Sequence, residues 1–142
     1  MSPAMSDDFS QCLVTNSRMA ARAITRRYDA YLRPFGLTAT QLSLLGGLRE
    51  LAGATVSEIA DNRGFDRTTL TRNLDRLEAI GFVVSTHPAH GNGRIAEITP
   101  KGNALIEQLL PLWREAQAEM QTELSRDTFD LSLKMLKRLA KV

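Results

Sequence analysis

Side chains that can read nucleic-acid bases are concentrated in residues 63–76, where arginine and threonine recur within a helical pattern. Arginine can donate two hydrogen bonds to guanine, and the methyl group of threonine can pack on the methyl group of thymine. Threonine forms helices less readily than Ala, Glu or Lys, so its concentration here needs a functional reason. The candidate DNA contacts in this stretch are Arg63, Arg67, Thr68, Thr69, Thr71, Arg72 and Arg76.

A short helix is expected just before these residues. Thr55 is followed three residues later by Glu58, which is the pattern of a capping box in which each side chain accepts the backbone N–H of the other. Gly64 can take the left-handed conformation that ends a helix, and Phe65 then returns to the core. Ser57, in the first turn, is a further candidate DNA contact.

A second helix is predicted from Asp66, its expected N-cap, to Gly81, its stop. Leu70, Leu74 and Leu77 recur at the spacing of one buried face, and Ile80 is expected to continue it. The opposite face is polar, and the two helices with their tight turn are typical of a helix-turn-helix DNA reader. An ordinary solvated helix is the alternative, but its exposed face would be mostly Glu and Lys.

A β-hairpin is predicted next. Residues 82–86 are rich in β-formers, 87–93 form a turn-rich tip, and 94–99 alternate outward and inward. A hairpin directly after a reading helix is typical of a wing, which lies beside the minor groove and touches sugar and phosphate. Arg94, the only cation of the segment, is expected to make such a contact.

Three segments together resemble the MarR family of bacterial transcriptional regulators: GLTATQLSLLGGL (36–48), TVSEIADNRGFDRTTLTRNLDRLEAIGFV (55–83) and ITPKGNALIEQLLPLW (98–113). The resemblance runs through nearly the whole chain in the family's order of elements. It implies a homodimer, winged helix-turn-helix lobes joined by a helical dimerisation domain, and repression relieved by a small molecule or an oxidant. Two reading helices related by a two-fold axis would bind a pseudo-palindromic operator in double-stranded DNA.

The wing tip departs from the family pattern. Members usually carry an acidic residue and an arginine two positions later, where this chain has His90 and Asn92. The implied ion pair is absent, so DNA contact falls to Arg94 or to the neutral tip itself, including His90 and Asn92. His87 and His90 are three residues apart without a third ligand nearby in sequence, so no metal site is expected.

The predicted fold is mostly α with a small β-hairpin wing. Residues 1–7 are expected to be a disordered lead-in, 36–99 a winged helix-turn-helix DNA-binding lobe, and 8–35 and 100–142 a helical dimerisation region. The long apolar stripes of these terminal helices have too little else to cover them, which indicates a second copy of the chain.

Local signals set the expected limits of the other helices. A first helix is predicted over about Asp8–Leu32, and a second from the Thr38–Gln41 capping box to about Leu51. Thr99 and Pro100 are expected to open a long helix to Leu124, kinked or broken at Pro111, and Asp127 to cap the last one. These terminal elements frame the lobe.

The formal net charge of the 142 residues is only +2, but the charges are unevenly placed. Residues 63–76 hold four Arg and two Asp, whereas 107–130 are largely acidic. A basic reading lobe is what a DNA-binding protein needs. The chain shows neither a membrane span nor a signal peptide, so a cytoplasmic protein is expected.

Cys12 is the only cysteine, so it can form no disulfide within the chain. It could sense oxidants, as some family members do with a cysteine in this region, but we favour a buried small hydrophobe whose burial raises the thiol's pKa. The resemblance implies an effector pocket where the first, second and fifth helices meet the lobe. Asn16, Arg22 and Trp113 are candidates for its lining, but helix spacing equally makes Trp113 a dimer-core residue, which is the interpretation we favour.

The sequence contains no catalytic motif and no cofactor fingerprint, so an enzyme is not expected. The expected function is that of a sequence-specific DNA-binding regulator, a repressor released by an unknown small-molecule effector or an oxidant. The alternative is an architectural DNA-binding dimer without a sensor. A ligand-dependent change in DNA affinity would separate the two.

Overall fold

Six α-helices and one β-hairpin make up residues 7–87 and 93–142, which are the part of the chain that this computed structural model describes. Strands β1 (Val83–Thr86) and β2 (Ile95–Ile98) pair antiparallel, with Val83 opposite Ile98. The predicted mostly helical fold with a two-stranded wing is therefore confirmed. The helices are α1 (Leu13–Leu32), α2 (Ala39–Glu50), α3 (Val56–Arg63), α4 (Arg67–Ile80), α5 (Pro100–Leu124) and α6 (Arg126–Leu139).

The buried stripe of α4 anchors the lobe that runs from α2 to β2. Leu70, Leu74 and Leu77 are completely buried, as their spacing predicts. Ile80 is 44% exposed, so the prediction that it continues the stripe is wrong. At about 100° per residue, Ile80 lies roughly 80° around the helix from Leu70 and falls at the edge of the buried face. The core also contains Leu32, Leu37, Leu44, Leu45, Leu48, Ile59, Val83, Leu105, Ile106 and Leu109.

The two predicted capping boxes have different outcomes. At α2, Thr38 accepts the N–H of Gln41 and the Gln41 side chain accepts the N–H of Thr38, so this box is confirmed. At α3, Thr55 accepts the N–H of Glu58 at 3.2 Å, but the Glu58 carboxylate takes the hydroxyl of Thr55 instead of its backbone N–H. Only half of the second box forms, and Thr55 also lies in an isolated antiparallel bridge with Ile95 of the wing.

Two terminal helices begin elsewhere than predicted. The helix α1 begins at Leu13, because Asp8 caps a short 3-10 turn (Phe9–Gln11) by accepting the N–H of Ser10 at 2.9 Å. The cap of α6 is Ser125, whose hydroxyl accepts the N–H of Thr128 at 3.3 Å, so the prediction of Asp127 as the cap is wrong. Asp127 lies in the first turn instead, where a carboxylate also favours the helix dipole.

Helix α5 links the lobe to the ends of the chain. It runs unbroken through Pro111, although proline lacks the N–H that would continue the ladder, so the predicted break does not occur. Helix α1 packs on α2 and α5, and α6 packs back on α5. None of the described helices is both long and apolar enough to cross a membrane. Large apolar side chains stay exposed on the terminal helices of the single chain, namely Leu13, Val14, Met19, Leu131, Met135 and Leu136.

Candidate DNA-binding surface

The start of α4 is fixed by its cap. The carboxylate of Asp66 accepts the backbone N–H of Thr69 at 2.8 Å and its hydroxyl at 2.7 Å. These bonds, the backbone one first, hold the pKa of Asp66 below its ordinary value, so the cap stays ionised. Thr69 is thereby committed to capping, which places its hydroxyl on Asp66 rather than on the reading face.

Four of the predicted contacts come together on the exposed face of α4. Arg67, Thr68, Thr71 and Arg72 line a shallow depression of about 450 Å³, together with Asp75. In the described part of the chain these four side chains make no hydrogen bond, whereas the neighbouring Asn73 amide donates to the Thr69 carbonyl at 2.8 Å. We name Arg67, Thr68, Thr71 and Arg72 the reading face.

Two other predicted residues lie beside the reading face without joining it. Arg76 is exposed further along α4, and Ser57 is half-buried in the first turn of α3. Neither lines the depression. Their contact with DNA stays a prediction.

Arg94 is expected to face outward, but its side chain packs back onto α4. Its Nε donates to Ser85 Oγ at 2.7 Å, its Nη1 to Asp75 Oδ1 at 2.8 Å and its Nη2 to Glu78 Oε2 at 2.9 Å. The side chain is only 16% exposed. Two carboxylates of α4 take the guanidinium in this conformation, and the contact of Arg94 with DNA stays a prediction. We name Arg94, Ser85, Asp75 and Glu78 the wing clamp.

Further bonds hold the base of the wing to the helices. Glu78 also accepts the backbone N–H of Ser85 at 2.7 Å, and the Val56 N–H donates to the carbonyl of Arg94 at 2.8 Å. The hairpin is thus attached to both α3 and α4. Sequence reasoning missed Asp75 and Glu78, because nothing in their spacing reveals a partner on the wing. His90 and Asn92 lie outside the described residues, and their contact with DNA stays a prediction.

Arg63 also lies elsewhere than predicted. Its guanidinium pairs with the Glu50 carboxylate, so the last residue of α3 binds the last residue of α2. Its Nε is buried and, among the described residues, is the one buried side-chain nitrogen or oxygen without a hydrogen-bond partner. The side chain lines a cavity and does not join the reading face. Arg63 is thus paired away from the reading face in this conformation, and its contact with DNA stays a prediction.

The cavity has a volume of about 740 Å³ and lies where α1, α2 and α5 meet the end of α3, which is the position that the family resemblance implies. Neither Asn16 nor Arg22 lines it. The Asn16 amide donates to the carbonyls of Ser10 and Cys12 at 2.7 and 2.8 Å, and Arg22 is exposed on α1. The lining consists of Ile24, Thr25, Tyr28, Ala39, Thr40, Leu42, Ser43, Gly46, Arg49, Glu50, Arg63, Phe65, Ile106, Leu110, Trp113 and Gln117.

Aromatic and polar groups share the cavity wall. Trp113, interpreted as a dimer-core residue, is 39% exposed in the single chain and forms part of the lining. The hydroxyl of Tyr28 donates to Gln117, and burial raises the pKa of Tyr28, so this phenol stays protonated at neutral pH. Arg49 is bound to Glu107 at 2.8 Å. The wall therefore offers aromatic rings beside donors and acceptors.

Cys12 is the N-cap residue of α1 and is only partly buried. The backbone N–H groups of Thr15 and then Val14 lower the pKa of its thiol, outweighing the opposite effect of burial. The predicted raised pKa is therefore wrong for the single chain, because the helix terminus and not an apolar interface surrounds the sulfur.

The chain is similar to known regulators over most of its length. A sequence model of the MarR family matches residues 35–94. The multiple antibiotic resistance protein MarR of Salmonella typhimurium is 34% identical over 84 residues, covering 58% of each chain. The M. tuberculosis transcriptional regulator MosR is 35% identical, with 94% of this chain and 98% of that one covered at a TM-score of 0.80.

Structures with DNA are among the similar ones. MosR in complex with DNA is 35% identical, with 93% of this chain and 100% of that one covered at a TM-score of 0.74. A mutant of E. coli MarR complexed with operator DNA is 28% identical, with 94% and 99% covered at a TM-score of 0.79.

Proposed function

This chain belongs to the MarR family of transcriptional regulators, and we propose that it binds duplex DNA sequence-specifically as a homodimer, with α4 in the major groove. The observation that carries the proposal is the reading face, Arg67, Thr68, Thr71 and Arg72. These side chains are exposed and make no hydrogen bond within the described chain, so their donors and methyl groups are available to base edges. The solved complexes of MosR with DNA and of E. coli MarR with operator DNA support DNA binding by this chain.

The dimer is supported by the terminal helices. Leu13, Met19, Leu131 and Leu136 are each more than half exposed in the single chain, which a second copy would cover. Residues 8–35 and 100–142 would then form the dimerisation region, and 36–99 the reading lobe. Two-fold symmetry places two α4 helices on half-sites about one helical turn apart, which calls for a pseudo-palindromic operator.

The 740 Å³ cavity supports a repressor that a small molecule releases. It adjoins both the helices of the dimerisation region and the end of α3, so a bound molecule would touch both parts of the protein. An architectural DNA-binding dimer, the second candidate, would need no such cavity. A regulator of this kind needs no catalysis, and it acts in the cytoplasm, where its operator DNA lies.

Selection of binding sites from a pool of random duplexes tests the DNA function. We expect an inverted repeat whose halves are about 10 base pairs apart, bound by two chains in sedimentation. Sites without two-fold symmetry, or no enrichment at all, would contradict the proposal.

A cavity-filling variant tests the effector function. Gly46 lines the cavity within α2, and a Cβ there would meet no atom within 4 Å. Gly46→Leu should therefore fold and bind the selected operator, yet lose the response to an effector found by screening small aromatic acids. If the variant keeps both its DNA affinity and its full effector response, the effector does not bind in this cavity.

A further inference from the structure

Asp75 is an acidic residue on a surface that is otherwise suited to DNA. It lines the same depression as the reading face. It follows Arg72 by three residues and Thr71 by four, which places all three on one side of α4. Duplex DNA is densely negative, so a carboxylate at this point opposes binding unless its charge is compensated and its oxygens are used. Its presence in the depression therefore calls for a function.

Arg94 compensates the charge of Asp75 but leaves part of the carboxylate open. Arg94 Nη1 donates to Asp75 Oδ1 at 2.8 Å, and within residues 7–87 and 93–142 no group donates to Oδ2. The Asp75 side chain is 62% exposed even with this ion pair. Each oxygen of an ionised carboxylate can accept hydrogen bonds. Oδ2 is therefore an available acceptor beside the reading face.

Both oxygens of Glu78, the other acid of the wing clamp, are already used. Oε2 accepts from Arg94 at 2.9 Å, and Oε1 accepts the backbone N–H of Ser85 at 2.7 Å. Glu78 does not line the depression. The two acids thus hold the same arginine, but of the two it is Asp75 that combines an open oxygen with a place beside the reading face.

The open oxygen of Asp75 can distinguish two kinds of base edge. An ionised carboxylate only accepts hydrogen bonds. In the major groove, cytosine and adenine present an amino group, whereas guanine O6 and thymine O4 are acceptors that would repel the carboxylate. Adenine also presents the acceptor N7 next to its amino group, so cytosine is the base that fits a carboxylate best.

We propose that Asp75 determines sequence specificity by accepting a hydrogen bond from the N4 amino group of one cytosine in each half-site. The proposal rests on the proposed function, with α4 in the major groove, and adds a residue to the reading of DNA. Three residues of helix rise about 4.5 Å, against about 3.4 Å between stacked base pairs, so the cytosine lies next to the base pair that Arg72 contacts. Arg94 pairs with Asp75 whatever the DNA sequence, so it does not contribute to the preference.

Operators that differ at single base pairs test the proposal. In one half-site of the selected operator, each C·G pair is replaced in turn by 5-methylcytosine·G and by T·A. Both replacement pyrimidines carry the methyl group, but 5-methylcytosine keeps the amino group where thymine has O4. At one position the wild type should tolerate 5-methylcytosine within about twofold and lose about fivefold or more with thymine, which is the range of a specific base contact.

Two acid variants separate base reading from the wing clamp. An amide both donates and accepts, so Asp75→Asn can pair with an amino or a keto group and should reduce the preference at that position to less than about twofold. Its binding to the cytosine operator shows that the variant is folded. Glu78→Gln is the matched control, because Glu78 binds the same arginine outside the depression. It should bind all operators more weakly and keep the wild-type preference.

The outcomes separate this proposal from the proposed function. If Asp75→Asn keeps every preference of the wild type, the role of Asp75 is overturned and α4 remains the reading helix. Loss of the same preference in Glu78→Gln would mean that the wing clamp sets it, which also overturns the proposal. A wild type that selects no sequence contradicts the proposed function and this proposal with it.

Discussion

The wing clamp and the cavity each hold an arginine for which the sequence predicts a DNA contact, and the two side chains end in opposite states. Arg94 donates from all three of its nitrogens to Ser85, Asp75 and Glu78. Arg63 pairs with Glu50 alone and keeps a buried Nε unsatisfied. The wing clamp therefore uses every nitrogen of its arginine, whereas the Glu50–Arg63 pair leaves one nitrogen buried without a partner.

Two glycines within helices show a similar difference between the base of the wing and the cavity. A Cβ on Gly102, where α5 meets the wing, would lie 2.2 Å from the carbonyl oxygen of Phe82. A Cβ on Gly46, at the cavity, would meet nothing within 4 Å. The base of the wing is therefore closely packed and the cavity open, which is the arrangement expected for a rigid DNA-contacting part beside an adjustable sensor.

The largest effect is expected from Gly102→Ala. The added methyl group would clash with Phe82 and Ile98, so the free energy of unfolding should fall by about 3 kcal/mol. Urea unfolding of the wild type and the variant at one protein concentration measures this difference in the free energy of unfolding.

Gly46→Ala is the matched control. It removes a flexible glycine from a helix without a clash, so the free energy of unfolding should rise by about 0.5–1 kcal/mol. Equal losses in both variants would show that the packing contrast is wrong.

The next prediction compares Arg63 with Arg72, an arginine that does lie on the reading face. Arg72→Ala should cost about 1–3 kcal/mol of operator-binding free energy, the value of a bidentate base contact. In the absence of an effector, Arg63→Ala should change the affinity for the operator far less than Arg72→Ala does. Titrations of both variants at one salt concentration measure the difference.

Arg94→Ala should have a smaller and different effect. It removes the ion-pair partner of Asp75 and Glu78 and loosens the wing, which Glu78 and Val56 still hold through backbone bonds. This should cost about 1 kcal/mol of DNA-binding free energy, because solvent screens these partly exposed carboxylates. The loss of DNA-binding free energy should be equal for all DNA sequences.

The salt dependence of DNA binding distinguishes this role from a phosphate contact. Arg94→Ala should leave the slope of log K against log salt unchanged, whereas loss of a phosphate contact reduces it by about 0.9. Arg94→Lys keeps the charge without the fork and should recover only part of the affinity. A reduced slope would mean that Arg94 leaves the clamp to bind DNA.

The smallest effect on DNA binding is expected at Cys12. Cys12→Ser should change operator affinity by no more than about twofold, since the thiol lies at the start of α1, away from the reading face. In the wild type, the lowered pKa means a larger thiolate fraction at a given pH. Alkylation by iodoacetamide should therefore be faster in the folded than in the urea-unfolded chain at pH 7.5, and equal rates would contradict the lowered pKa.

The helix ends of the lobe could be predicted from local sequence signals. The ion pairs between elements that are distant in sequence could not. Asp66, Gly64 and Gly81 cap their helices as predicted, because a cap bonds to residues within one turn. Ser125 and Asp127 compete for one cap two residues apart, and such a choice depends on the preceding turn, where Ser125 takes a φ of 70°.

The positions of the Arg63 and Arg94 side chains depend on partners that are distant in sequence. Arg94 bonds to Asp75 and Glu78, and Arg63 to Glu50. Only the packing of the hairpin on α4, and of α3 on α2, brings these groups together. The sequence indicated basic residues in a reading lobe, but it could not show which of them the lobe itself would bind.

Operators with single-base substitutions test the central claim, that the reading face of α4 reads the sequence while Arg63, paired with Glu50, does not. The affinities of the wild type, Arg72→Ala and Arg63→Ala are measured across the panel in the absence of ligand. We predict that Arg72→Ala loses its base preference at one position in each half-site and that Arg63→Ala keeps the wild-type profile. A profile that changes with Arg63→Ala, or survives Arg72→Ala intact, would contradict the account.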